Sequence, residues 1–276
     1  MIALFRLLSH LPLWLLHVFG WVLGWLAYAS SATYRRRFLE NAATAKVSFS
    51  DRVCAVGESG KLVLELPRLW LGRAVPVRWD GEQHVAAALA LRRGIVFLTP
   101  HLGCFEVTAQ AYAARFGQTA HPMTVLFRPP RKAWLAPLVV ASRARPGLHT
   151  APATLAGVKQ LIKALKAGQC VGLLPDQVPP EHLGVWAPFF GKPAYTMTLS
   201  ARLAVQTGAT MLVAWGERRT WGRGYVVHVR PMDQALSTDI GQAVAQINQA
   251  MESLIQHHAG QYLWGYARYK TPREGV

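Results

Sequence analysis

Gly94-Ile95-Val96-Phe97-Leu98-Thr99-Pro100-His101-Leu102-Gly103-Cys104-Phe105-Glu106 is the stretch on which the fold turns. The run Ile95 to Thr99 is short, β-branched and aromatic, carries no polar face, and is fenced by Gly94 and Pro100. It reads as a strand buried on both sides. Such a strand needs helices above and below it, the arrangement of a parallel sheet. The flanks agree with that. Upstream, Ser50 begins a helical pattern that runs to about Trp70, with Val53, Val56, Leu62, Leu66 and Leu69 apolar and a kink at Pro67; Asp80 is placed to cap a helix over Glu82–Leu91. Downstream, the patterns predict helix at Val107–Phe116, strand at Met123–Phe127, helix at Leu155–Lys166 and strand at Cys170–Leu174. Helix at Thr198–Gln206, strands at Thr210–Trp215 and Gly224–Arg230, and an amphipathic helix at Gln242–His257 follow. The alternation predicts an α/β fold with a mostly parallel central sheet flanked by helices. In such sheets chemistry gathers in loops beyond the strand ends.

The chain has 276 residues, 51% hydrophobic against 16% charged, with 10 Trp, and its mean hydropathy is positive at +0.16. That balance fits a peripheral or once-anchored membrane protein better than a multi-span transporter. From Leu7 to Tyr34 no residue carries a formal charge, and Leu11 to Tyr28 is dominated by Leu, Trp, Val and Phe. The length suffices to cross or enter a bilayer. We therefore expect residues 1–34 to form a hydrophobic N-terminal anchoring helix and residues 35–276 one continuous domain, with no repeat or low-complexity linker between. Arg35, Arg36 and Arg37 follow the apolar run, which places the rest of the chain on the cytoplasmic side. Arg6 with Ala27-Tyr28-Ala29 leaves a signal peptide open, and a buried core helix is the other alternative. Pro12, Gly20 and Gly24 leave open whether the helix spans or only enters the bilayer.

A formal charge of +16 calls for anionic partners. The basic residues are spread out and mostly Arg, with no recognition motif, so a membrane surface is favoured over nucleic acid. Cys54, Cys104 and Cys170 show no metal-ligand or disulfide spacing. No Gly-x-Ser-x-Gly elbow is present, which argues against a serine hydrolase.

The chemistry is expected at His101. A histidine directly after a buried strand, with Glu106 five positions later in the first turn of the next helix, can be a general base whose second ring nitrogen is held by the carboxylate. A capping His with an unrelated surface Glu is the bland alternative. Cys104 could in principle carry an acyl group, but adjacent side chains on a turn rarely aim at one carbon, so it is expected as a small buried filler. Asp176 and Gln177, after the strand ending at Leu174, could orient acceptor hydroxyls or fix Arg128; an Asx-turn is the alternative. Arg128 could serve a phosphate or an oxyanion through its planar fork, or be a solvated surface residue. Gly191 could let backbone amides approach a head group, or mark a plain turn.

His101-Leu102-Gly103-Cys104-Phe105-Glu106 resembles the His-x4-Asp/Glu motif of the glycerolipid acyltransferase superfamily, in the branch that performs the late (lauroyl- or myristoyl-type) acylations of lipid A. Leu126-Phe127-Arg128-Pro129, Leu174-Pro175-Asp176-Gln177, Phe189-Phe190-Gly191-Lys192-Pro193-Ala194, Gln261-Tyr262-Leu263-Trp264 and Arg268-Tyr269-Lys270 agree in order. Cys104 and Phe105 stand where such proteins often carry Asn and Trp, and the C-terminal run is poorer in Arg. The resemblance implies an acyltransferase domain over residues 35–276 on the cytoplasmic face of a bacterial inner membrane. It implies transfer from an acyl carrier protein thioester, with coenzyme A possible instead, to a hydroxyl of an anionic glycolipid, with His101 and Glu106 catalytic and no cofactor. Another glycolipid or phospholipid acceptor, or a catalytically silent membrane-binding scaffold, are the alternatives; Glu106 and Asp176 beside a strand-end His argue against the scaffold.

Overall fold

The computed structural model describes residues 2–118, 120–127 and 145–273. Seven strands form one sheet in the order β1-β9-β8-β2-β5-β3-β4: β1 Val77–Asp80, β2 Ile95–Leu98, β3 Met123–Phe127, β4 Leu148–Pro152, β5 Cys170–Leu173, β8 Thr210–Arg218 and β9 Tyr225–Pro231. All neighbours run parallel except β8 and β9. The expected α/β class with a mostly parallel central sheet is therefore what the chain adopts.

The stretch Ile95 to Leu98 lies in the middle of the sheet and is buried throughout. Its alternation supplies both layers: Val96 and Leu98 join one core, Ile95 and Phe97 the other. Helices cover each face. Residues of α3 (Ala32–Thr44), α7 (Leu155–Lys166), α8 (Leu199–Thr207) and α9 (Ile240–His257) enter the first core, and residues of α5 (Glu82–Ala90) and α6 (Phe105–Tyr112) enter the second. Asp80 ends β1 rather than capping α5, whose N-cap is Gly81. Strands β1 and β4 and helix α3 were not visible as periodic patterns. A separate antiparallel hairpin of β6 (Gly184–Phe189) and β7 (Lys192–Met197) lies between β5 and α8 in the chain.

At the N-terminus, α1 (Ile2–His10) leads into α2 (Leu13–Ser30), the described helix long and apolar enough to cross a membrane. One face of α2 lies along α4 (Phe49–Leu71), and four glycines set the distance. A Cβ on Gly60 would stand 2.0 Å from the Gly20 carbonyl oxygen, and one on Gly24 2.2 Å from the Val56 oxygen. The backbones thus touch, as small residues allow between packed helices. The other face of α2 exposes Trp14, Val18, Phe19, Val22, Leu23 and Leu26. We expect Gly60→Val to force α2 off α4. Overpacking of this kind costs about 1–3 kcal/mol, so the thermal midpoint should fall by about 3–10 °C. Circular dichroism melts check this, and an unchanged midpoint would contradict the packing.

Candidate active site

Because β2 and β5 are parallel neighbours, the segments leaving their C-terminal ends emerge side by side. One brings Pro100 and His101, the other Pro175, Asp176 and Gln177. The Asp176 carboxylate grips the histidine twice: Oδ2 accepts from the His101 backbone N–H at 2.8 Å, and Oδ1 lies 2.7 Å from Nδ1. Tyr262 donates its hydroxyl to Oδ2 at 3.1 Å. Asp176 is 2% exposed. Burial alone would raise its pKa, but His101, through charge and two hydrogen bonds, holds it below the ordinary carboxylate value. An ionised Asp176 fixes Nδ1 as the protonated nitrogen and leaves Nε2 with its lone pair. The Gln177 side-chain amide, 3.0 Å from Nε2, occupies the place of a proton donor.

This corrects one expectation. The carboxylate that orients His101 is Asp176, 75 positions away in the chain, in the place the spacing gave to Glu106. Both ring nitrogens are taken by Asp176 and Gln177. Glu106 does sit in the first turn of α6, where it accepts from the Trp70 indole at 3.3 Å as one of its partners. It also lines an apolar cavity of about 70 Å³ together with Phe97, Phe105, Tyr112, Leu173 and Val227. The Phe105 ring belongs to that wall and packs edge-on against His101, centroids 4.9 Å apart. Gly191 forms the tip of the β6–β7 hairpin with Phe190, both at positive φ, as two-residue hairpin turns require. It lies outside the His101, Asp176 and Gln177 group. Arg128 lies outside the described residues. Cys104 is fully buried, and burial raises its thiol pKa well above the usual value, so it is held as a neutral filler.

The turn carrying His101 is tied down residue by residue. Gly103 has φ +57, and a Cβ there would meet the Gly216 oxygen at 2.1 Å, so only glycine fits. The Gly103 N–H donates to Gln261 O, Cys104 N–H to Gly216 O, and Leu263 N–H to His101 O. The Gly103 carbonyl accepts from Arg218 Nη2 at 2.8 Å.

Arg218, at the end of β8, is the centre of a buried ion network. Its guanidinium makes a forked bond to Glu65 of α4, with Nε at 2.9 Å from Oε2 and Nη2 at 2.7 Å from Oε1, and reaches Glu58 at 3.2 Å. Tyr225 donates to Glu65, and His17 of α2 lies 3.2 Å from the same carboxylate. Nothing in the sequence sets Arg218 apart from the other basic residues or gives Tyr262 a role. The sole signal was their order in the chain: Tyr262 lies in the Gln261-Tyr262-Leu263-Trp264 run and Arg218 at the end of an apolar strand.

A strand-end histidine with a buried carboxylate on Nδ1 and a side-chain amide on Nε2, beside an apolar slot, is an arrangement that could take a proton from a hydroxyl once the amide is displaced. The bacterial lipid A biosynthesis acyltransferase family matches residues 65–271. A lipid A biosynthesis lauroyltransferase of Escherichia coli (strain K12) is 28% identical over 212 residues, covering 75% of this chain and 67% of that protein. A lipid A biosynthesis palmitoleoyltransferase of the same organism is 27% identical over 217 residues, covering 77% and 69%. A lipid A biosynthesis acyltransferase of Haemophilus influenzae is 23% identical over 197 residues, covering 71% and 59%. The match over three quarters of the chain places it in the bacterial lipid A biosynthesis acyltransferase family, and it is an acyltransferase enzyme.

Proposed function

We propose that this protein transfers a fatty acyl group from an acyl carrier protein thioester to a hydroxyl of a lipid A precursor, at the cytoplasmic face of a bacterial inner membrane. The observation that carries the mechanism is the His101 ring, held through Nδ1 by buried Asp176 and covered at Nε2 by Gln177. An acceptor hydroxyl displaces the Gln177 amide and gives its proton to Nε2 as its oxygen attacks the thioester carbon. The new C–O bond forms, the tetrahedral oxyanion collapses, the C–S bond breaks, and the imidazolium returns its proton to the leaving sulfur. Asp176 stabilises the imidazolium between those steps. Glu106, the carboxylate of the His-x4-Asp/Glu motif, is set on the wall of the slot that we assign to the acyl chain.

The acceptor assignment follows the names of the relatives, and a lipid A precursor is the kind of anionic glycolipid that a chain of charge +16 would attract. We assign Arg128 to an acceptor phosphate and keep Gly191 as a backbone contact to the head group. A carrier-protein thioester suits the basic surface, though coenzyme A is anionic too. The apolar face of α2 and the positive charges of Arg35, Arg36 and Arg37 support attachment to the membrane. Mass spectrometry of lipids from cells with and without the gene tests the assignment. Lipid A lighter by one acyl chain in the deletion strain is the expected result. Unchanged lipid A with an altered phospholipid would move the acceptor elsewhere.

A further inference from the structure

The β8–β9 hairpin begins where Arg218 holds the catalytic turn and ends in a tip, Arg219 to Gly224, that catalysis does not use. Trp221 stands at that tip, 83% exposed, at φ +58. A bulky residue in the left-handed region is an outlier that a fold keeps only where the neighbouring structure demands it. The neighbour here is α2. A Cβ on Gly222 would lie 2.2 Å from the Trp14 backbone nitrogen, so the tip rests directly on the start of the apolar helix, beside the half-exposed Trp14 side chain. Two arginines flank the exposed indole. Arg223 bonds the Thr220 carbonyl and hydroxyl at 3.1 and 2.6 Å, and Arg219 bonds the Arg223 carbonyl at 3.3 Å. Among the described residues neither has a carboxylate partner, so both charges stay available.

We propose that the β8–β9 tip is a second membrane contact, in which Trp221 enters the interface of an anionic bilayer while Arg219 and Arg223 meet lipid phosphates. The proposal rests on the membrane reading of α2 and extends its apolar face onto the catalytic domain. Tryptophan suits that depth because its ring is apolar and its N–H finds water or head groups. Arginine supplies the charge complementarity. The same hairpin leads back through Arg218 to the turn bearing His101, so docking the tip would set the active site at a fixed height above the lipid acceptor.

The test is flotation of the full-length protein with vesicles of phosphatidylcholine containing phosphatidylglycerol, and with phosphatidylcholine alone. Trp221→Ala should lower partitioning about tenfold or more on both compositions, since burial of a large ring is lost. Arg219→Gln and Arg223→Gln should each lower it about fivefold on the anionic vesicles only. All three positions are at the surface, and unchanged thermal midpoints would confirm folding. Wild-type partitioning by Trp221→Ala overturns the hairpin contact and leaves the α2 reading intact. A wild-type protein that stays wholly with the soluble fraction overturns the membrane reading itself, and the tip with it. A lipid-free dimer that Trp221→Ala dissolves would make the tip a self-association surface instead and also overturns the proposal.

Discussion

His101→Ala should lower kcat by about 10²–10⁴, the range of a positioned general base, while the protein stays folded. Asp176→Asn should come close to that loss, because an amide at Oδ1 no longer fixes the proton on Nδ1 and the ring can present the wrong nitrogen. The two residues act as one unit. Their double variant should be little worse than His101→Ala alone, a failure of additivity that single-turnover assays on the purified protein can read. Glu106→Gln leaves the bond between His101 and Asp176 in place, so its loss should add to that of Asp176→Asn. Wild-type kcat in Asp176→Asn would return the orienting role to Glu106.

The second large effect is structural and lies beneath the site. Arg218→Ala leaves Glu65 as a buried charge without its fork, and removing one partner of such a pair costs about 3–5 kcal/mol. Chemical denaturation measures it; a loss under about 1 kcal/mol, the range of an exposed pair, would contradict the network. Arg218→Lys keeps the charge but reaches fewer acceptors. It should fold and yet lose kcat about tenfold with KM little changed, because the Gly103 carbonyl and the turn behind His101 lose their donor. The pair also has an acid signature. Burial alone would raise the Glu65 pKa, but the Arg218 guanidinium, with help from His17, takes it down to about 2. A depressed folded-state pKa gives stability that is complete above the unfolded value of about 4.3 and is lost as pH falls through about 2.

What the sequence could and could not tell follows from distance along the chain. Ile95 to Leu98, Met123 to Phe127 and Leu155 to Lys166 were legible because a short fenced apolar run marks a buried strand and an apolar stripe every three to four residues marks an amphipathic helix. β1 and β4 are four and five residues long at the sheet edges, half exposed, and carry no such period. A candidate base was legible at His101, since a turn after a buried strand can expose an imidazole, whereas acyl transfer was legible only through the resemblance of the ordered motifs. The partner of that base was not. Glu106 is close in sequence and on the right helix, so spacing favoured it. Asp176 comes from the neighbouring strand, and only the order β2-β5 brings it to Nδ1. The same limit hid Arg218, whose partners are distant in the chain: Glu58 and Glu65 lie on α4 and Gly103 on the turn after β2. The sequence left Gly191 either as a backbone contact to a head group or as a plain turn, and the hairpin register places it in a turn.

Nitrogen NMR of the imidazole of His101, assigned by its disappearance in His101→Ala, tests the central claim most directly. In the neutral ring Nδ1 is expected to carry the proton, donated to Asp176, with Nε2 left to accept one, and Asp176→Asn is expected to disturb this tautomer. A resting His101 protonated on Nε2 alone, indifferent to Asp176→Asn, would contradict it.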